Sequence, residues 1–169
     1  MLREVTTLDN RICVYPGSFD PVTLGHLDII QRVSGMFPDL RVAVLDNPDK
    51  VKLFSVSERM TMLSKACAHL PNIQIDSFSG LLVDYMRKIN AGIVIRGLRS
   101  ASDFETEFQM AQMNSQLSGT VESLFLMTSP DHAYISSGIV KQIASFGGDI
   151  SAFVPQCILP EITKRFQSK

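Results

Sequence analysis

With 169 residues, 16 basic and 17 acidic side chains and a net charge of −1, the chain has the size of one domain and no dominant charge. That balance excludes the broad positive field of a nucleic-acid binder or of a protein held on an anionic membrane, so any affinity for phosphate must be local. Hydrophobic residues make up 45% of the chain and the mean hydropathy is +0.13, which predicts a compact, well-filled globule.

Residues 1–10 are polar and aperiodic and read as a flexible lead, leaving 11–169 as a single domain. Ile12, Cys13, Val14 and Tyr15 form a short apolar run stopped by Pro16-Gly17, the pattern of a buried strand. Beyond a loop, Ile29, Ile30, Val33, Met36 and Phe37 recur at helical spacing, with Thr23 placed as N-cap. Leu40-Arg41-Val42-Ala43-Val44-Leu45 is a second strand, followed by a loop over 46–54. Ser55-x-x-Glu58 is a capping box, and Leu63, Ala66, Cys67 and Leu70 continue that helix. A strand over 72–78, a helix over 81–89 and a central strand at Ile93-Val94-Ile95 come next, the last ending in Arg96-Gly97-Leu98-Arg99. Ser102-x-x-Glu105 caps a helix running to Leu117, a fifth strand covers 121–127, and helices cover 136–146 and 155–167.

Strands alternating with helices predict an α/β fold: a single-domain, Rossmann-like, doubly wound five-stranded parallel sheet with helices on both faces. Ligands in such sheets bind beyond the carboxyl ends of the strands, where the strand order reverses. The polar loops after strands one, two, four and five fall there. Cys13, Cys67 and Cys157 are far apart, each in an apolar segment, and predict buried thiols in a reducing compartment. No long apolar run reads as a membrane span and the opening residues lack a signal-peptide pattern, so a cytoplasmic protein is expected.

The stretch Tyr15-Pro16-Gly17-Ser18-Phe19-Asp20-Pro21-Val22-Thr23-Leu24-Gly25-His26 joins a strand to a helix start that carries an imidazole. Unpaired N–H groups and the helix dipole favour an anion at such a place. Taken alone, a histidine at a strand-loop-helix junction is most often a surface residue. Here the spacing resembles the T/H-x-G-H signature of the nucleotidyltransferase superfamily, and the whole run resembles the opening of the phosphopantetheine adenylyltransferase family. Three further motifs carry the resemblance from residue 11 to about 160. Arg96-Gly97-Leu98-Arg99 resembles the family's phosphate-binding turn, and both guanidiniums are held near a strand end where a bidentate grip on phosphate is natural. Asp131-His132-Ala133-Tyr134-Ile135-Ser136-Ser137-Gly138 leads into a helix and resembles the family's I-S-S-S/T motif, with Gly138 lacking the third hydroxyl. Asp46-Asn47-Pro48-Asp49-Lys50 places a lysine at the spacing of the family's catalytic lysine, with Asp46 where a small or apolar residue is usual.

The resemblance implies adenylyl transfer from ATP to 4'-phosphopantetheine, giving dephospho-coenzyme A and pyrophosphate, with magnesium (Mg2+) held mainly by the ATP phosphates and no protein metal site. It implies His26, Lys50 and Arg99 as catalytic residues. Ser18, Lys50, Leu82 and Arg96 would bind phosphopantetheine, Leu81 adding to the contact with its arm. ATP would meet Ser18, Phe19, His26, Gly97, Leu98, Arg99 and Glu107, and the segment His132, Ala133, Tyr134, Ile135, Ser136, Ser137 and Gly138. Glu107 shares a helix face with Phe104 and Ala111 that should pack inward, where a carboxylate needs a partner. An arginine partner and a place at the nucleotide site both remain open for it. The partners implied are ATP and 4'-phosphopantetheine, with coenzyme A as feedback candidate, no nucleic acid and no membrane. A homohexamer follows from the family and from Phe104, Phe108 and Met113, which a small domain does not bury alone. The rival readings are another enzyme of the superfamily, such as nicotinamide mononucleotide adenylyltransferase or a cytidylyltransferase, and a non-catalytic ATP-binding module.

Overall fold

The computed structural model describes residues 12–48 and 51–167. Its elements run β1 (Ile12–Gly17), α1 (Leu24–Ser34), β2 (Leu40–Asp46), α2 (Val56–Ala66), β3 (Ile73–Ser79), α3 (Leu82–Lys88), β4 (Ala91–Leu98), α4 (Ala101–Leu117), β5 (Glu122–Met127), α5 (Ser137–Ser145), a 3-10 turn at Gln156–Ile158 and α6 (Leu159–Gln167). The five strands form one parallel sheet in the order β3-β2-β1-β4-β5. Strand order therefore reverses between β1 and β4, and the crevice beyond their carboxyl ends lies between Gly17 and Leu98.

Side chains alternate across each strand, and the core divides accordingly. Cys13, Tyr15, Val42, Val44, Ile93 and Ile95 pack under Ile29, Ile30 and Val33 of α1, with α2, α5 and α6 completing that layer. Val14, Ala43 and Val94 face the other way, toward Tyr85 and Met86 of α3. Burial of Ile29, Ile30 and Val33 contributes about 1.5–3 kcal/mol each, against about 1 kcal/mol for a cap. Packing thus decides that α1 exists, and Thr23 decides where it begins.

The caps at Thr23 and Ser55 form as the spacing predicts, each as a full capping box. Other boundaries differ. Helix α1 stops at Ser34, where Gly35 donates to the Gln31 carbonyl at 3.3 Å. Met36 is left exposed, and Phe37 is buried beyond the helix rather than on it. Ser100, not Ser102, caps α4, its Oγ accepting from the Asp103 N–H at 3.2 Å. The reason is Asp103 itself, which also binds Arg99 and so fixes the first turn. The expected 155–167 helix divides into the 3-10 turn and α6.

Two further expectations are corrected. Cys157 is exposed, although Cys13 and Cys67 are buried and all three are free thiols. Burial pushes the Cys13 thiol up to about 12 and the Cys67 thiol up to about 11, so both stay protonated and inert. Helix α4 does not pack its apolar face inward: Phe104, Phe108, Met110, Met113 and Leu117 are exposed, and its buried residue is Asn114. Asp103, Glu107 and Asn114 share one helix face, and the two acids meet the arginines that end β4. Among the described residues no helix is long and apolar enough to cross a membrane. The lead at 1–10 and Lys50 lie outside the described residues.

Candidate active site

A cavity of about 690 Å³ opens beyond the carboxyl ends of β1, β2 and β4. Two helix starts point into it. At α1, His26 is the third helical residue, and its Nδ1 accepts from the Thr23 backbone N–H at 3.1 Å while the Thr23 hydroxyl accepts from the His26 N–H at 3.4 Å. A ring nitrogen that accepts cannot carry a proton, so the hydrogen of the neutral ring is on Nε2. Burial first, and then the nearby Arg99, push the His26 pKa down from 6.5 to about 4. The imidazole is therefore neutral at pH 7 and presents a donor. Phe19 packs edge-on against it, ring centroids 5.1 Å apart, and against Tyr15 at 5.6 Å. Gly17 makes room for this stack, since a Cβ there would lie 2.8 Å from the Phe19 ring. Gly25 does the same for the chain opposite, because a Cβ on it would meet the His132 carbonyl at 3.3 Å.

At α5, Ser136 caps the helix by accepting from Ile139 at 3.1 Å, and Ser137 donates to the Pro21 carbonyl at 2.7 Å. The second contact ties the start of α5 to the loop that leads into α1. Both serines and Gly138 line the cavity, where first-turn N–H groups have no acceptor within their own helix.

Cations ring the space, and each is held by a carboxylate. Arg96 Nε lies 3.1 Å from Glu107 Oε2, and Arg99 Nε lies 3.1 Å from Asp103 Oδ2. Glu107 and Asp103 stand one turn apart on α4, so a single helix aims both guanidiniums. Arg99 also donates to the Ile135 carbonyl at 3.4 Å. Lys141 of α5 donates to Asp20 Oδ2 at 2.9 Å, and Lys52 donates to Asp46.

Asp20 is buried and holds three segments together. Its carboxylate accepts from the Leu53 N–H at 3.0 Å, from the Phe54 N–H at 2.9 Å and from Lys141. Burial alone would raise its pKa, but these hydrogen bonds outweigh burial and leave it below the ordinary carboxylate value. Arg59 is fully buried beneath, donating to the Ser18 carbonyl at 2.7 Å and the Leu45 carbonyl at 3.2 Å. It thereby joins the ends of β1 and β2 and leaves the exposed Ser18 at the cavity wall.

The structure brings together at the cavity Ser18, Phe19, His26, Arg96, Gly97 and Arg99. Glu107, Ile135, Ser136, Ser137 and Gly138 join them. It does not bring Leu82, Leu98, His132, Ala133 or Tyr134 to the wall. Leu82 packs on the α3-side core, and Leu98 is buried with its carbonyl accepting from Thr128 at 2.8 Å. His132 Nδ1 meets the Ser129 hydroxyl at 3.0 Å, and the exposed Tyr134 stands edge-on to Phe153 at 6.3 Å. Asp46 is answered by Lys52 and by Arg59 at 3.9 Å, so its charge is met within the protein. Sequence reasoning missed Lys52, Lys141, Asp20, Arg59 and Asp103. Asp103 was the legible one, since it stands three residues after Ser100, a capping distance.

The cytidylyltransferase-like family model matches residues 14–143. A phosphopantetheine adenylyltransferase of Caldanaerobacter subterraneus subsp. tengcongensis is 52% identical over 157 residues, covering 93% of this chain and 98% of that protein. The chain belongs to the phosphopantetheine adenylyltransferase family. Another relative of that name, from Clostridium perfringens, is 49% identical over 158 residues, covering 94% and 96%. Among solved structures, one titled as a nicotinate-nucleotide adenylyltransferase candidate of Vibrio parahaemolyticus superposes with a TM-score of 0.69 at 16% identity, covering 90% of this chain and 97% of that one. At that identity the likeness is one of fold alone.

Proposed function

We infer that this protein transfers the adenylyl group of ATP to 4'-phosphopantetheine. The relatives at about half identity carry the substrate assignment, and the observation that carries the mechanism is the His26 tautomer. An oxygen of the acceptor phosphate attacks the α-phosphorus, the bond to the α–β bridging oxygen breaks, and pyrophosphate leaves. The acceptor's second pKa is near 6, so it is largely ionised at pH 7 and requires no general base. A half-buried neutral imidazole whose pKa is pushed down to about 4 would be a poor proton acceptor in any case; its role is to donate from Nε2 to the α-phosphate oxygens as charge builds there. Arg96 and Arg99, aimed by Glu107 and Asp103, hold phosphates in line, with the α5 start beneath the triphosphate. By the family resemblance, Arg96 takes the acceptor phosphate and Arg99 the nucleotide, and Lys50 adds a second catalytic cation.

Magnesium would be held mainly by the ATP phosphates in this reading and would supply charge neutralisation at their oxygens. The donor set fits that route, since the cavity carboxylates Asp20, Asp103 and Glu107 each already face a cation. Coenzyme A contains both halves of the product, so it would compete for the same cavity as a feedback ligand. The exposed apolar residues of α4 and the exposed Leu124 and Met127 on β5 favour an assembly that covers them, and by the family resemblance that assembly is a homohexamer. The free thiols suit a reducing cytoplasm.

The test is pyrophosphate release by purified protein with ATP, magnesium and a panel of phosphorylated acceptors. The fastest release is expected with 4'-phosphopantetheine. Faster release with nicotinamide mononucleotide, or with CTP as donor, would overturn the assignment, and ATP binding without release would make the chain a binding module.

A further inference from the structure

Lys52 is a cavity cation that no motif predicted. It follows β2 on the loop whose next two residues, Leu53 and Phe54, donate their N–H groups to the buried Asp20. Its backbone is thus anchored one residue away, while its side chain lines the cavity on the β2 side, across β1 from Arg96 and Arg99. Its ammonium rests on Asp46 Oδ1.

The same oxygen lies 3.9 Å from Nη2 of Arg59. The two cations differ in freedom. Arg59 is fully buried and donates to the carbonyls of Ser18, Leu45 and Ser55, so it stays where it is. Lys52 is one-fifth exposed on a flexible four-carbon stem, and Asp46 is 45% exposed. If Lys52 left, Asp46 would keep a resident counter-ion. An ion pair this open to water holds its partners weakly, whereas a phosphate in the cavity carries up to twice the charge of a carboxylate.

We propose that Lys52 is a phosphate-binding residue of this active site, held by Asp46 until a substrate phosphate binds and transferred to that phosphate when one does. This rests on the adenylyl-transfer reading above. The phosphate is either that of the acceptor or one of the ATP triphosphate, and binding measured separately distinguishes them. No covalent step is involved: an ammonium exchanges one anionic oxygen for another.

The experiment titrates wild-type protein, Lys52→Met, Lys52→Arg and Asp46→Asn with an α,β-methylene analogue of ATP and, separately, with 4'-phosphopantetheine, alongside thermal melts and the pyrophosphate assay. Lys52→Met is expected to raise Kd for one of the two ligands by about tenfold, with the other nearly unchanged, the scale of one charge-assisted hydrogen bond. Lys52→Arg should restore most of that loss, and Asp46→Asn should tighten the affected ligand by a few fold, because the competing carboxylate is gone. Unchanged affinities in Lys52→Met, or a fall in both together with a lower Tm, would overturn the proposal, the second because it marks a loop-holding role. Weaker binding in Asp46→Asn would overturn the holding role of Asp46. The two readings fail separately. If wild-type protein releases no pyrophosphate with 4'-phosphopantetheine while Lys52→Met still weakens the ATP analogue, the acceptor assignment falls and Lys52 stands. If wild-type turns over and Lys52→Met binds both ligands normally, only Lys52 falls.

Discussion

The backbone N–H of Thr23 donates to Nδ1 of His26 at 3.1 Å, so the residue that caps α1 also sets the tautomer of the cavity imidazole. Fold and chemistry share one contact. The proton on Nε2 is in place before substrate arrives, with no reorganisation required at the moment of reaction.

His26→Ala is expected to lower kcat by roughly a hundredfold or more, about 3 kcal/mol, with modest change in either KM, since the contact strengthens as charge develops. It also removes half of a capping box, so Tm should drop by an amount worth about 1 kcal/mol. Steady-state kinetics with thermal melts separate the two effects. Near-normal kcat with weak ATP binding would make the imidazole a binding residue only.

The pH dependence follows from the depressed pKa. The unfolded chain protonates His26 near 6.5, whereas the native ring holds out to about 4. Stability from the neutral ring is therefore complete above pH 6.5 and lost progressively as pH falls toward 4. Melts across that window should show a steeper fall in Tm for the wild type than for His26→Gln. Imidazole nitrogen spectra should keep the Nε2–H pattern from pH 8 to 5.5, and a ring titrating near 6.5 would contradict the geometry.

Arg96→Ala is expected to raise KM for 4'-phosphopantetheine more than KM for ATP, because uniform binding of one substrate's phosphate is lost. It also strands Glu107, now 3.1 Å from the guanidinium. Arg96→Ala combined with Glu107→Gln should recover thermal stability but not the acceptor KM, a split read from melts and kinetics on the same preparations.

Asp20→Asn retains the shape of the side chain but loses a charge that meets Lys141 and two backbone donors. An amide nitrogen cannot accept, so one backbone N–H or the ammonium is left unmatched in a buried place. A loss of about 3 kcal/mol is expected in urea melts. Hydrogen exchange at Leu53 and Phe54 should accelerate more than exchange in β4. Uniform acceleration would show that Asp20 supports the whole fold rather than this junction.

The apolar face of α4 is expected to be covered in a homohexamer. Light scattering at micromolar concentration should report the assembly, and Phe108→Glu should break it down into smaller species. A wild-type monomer under those conditions would refute it.

The sequence by itself determined the order of the elements, the parallel sheet, the starts of α1 and α2, and the crevice at which the motifs would meet. Those features depend on periods of 2 and 3.6 residues and on caps that reach three residues along the chain, which are all local. It also marked the Arg96 and Arg99 pair, since both follow one strand. What only the tertiary structure decided is which charges far apart in the chain answer each other. Asp20 reaches Leu53 across 33 residues and Lys141 across 121, distances over which no spacing rule operates. Lys52 sits on an aperiodic loop and became a cavity residue only when Asp20 fixed its neighbours. Helix α4 shows the same limit from the opposite side. Periodicity revealed that the helix had an apolar face, but the direction in which that face points was settled by Asp103 and Glu107 reaching for the arginines at the end of β4.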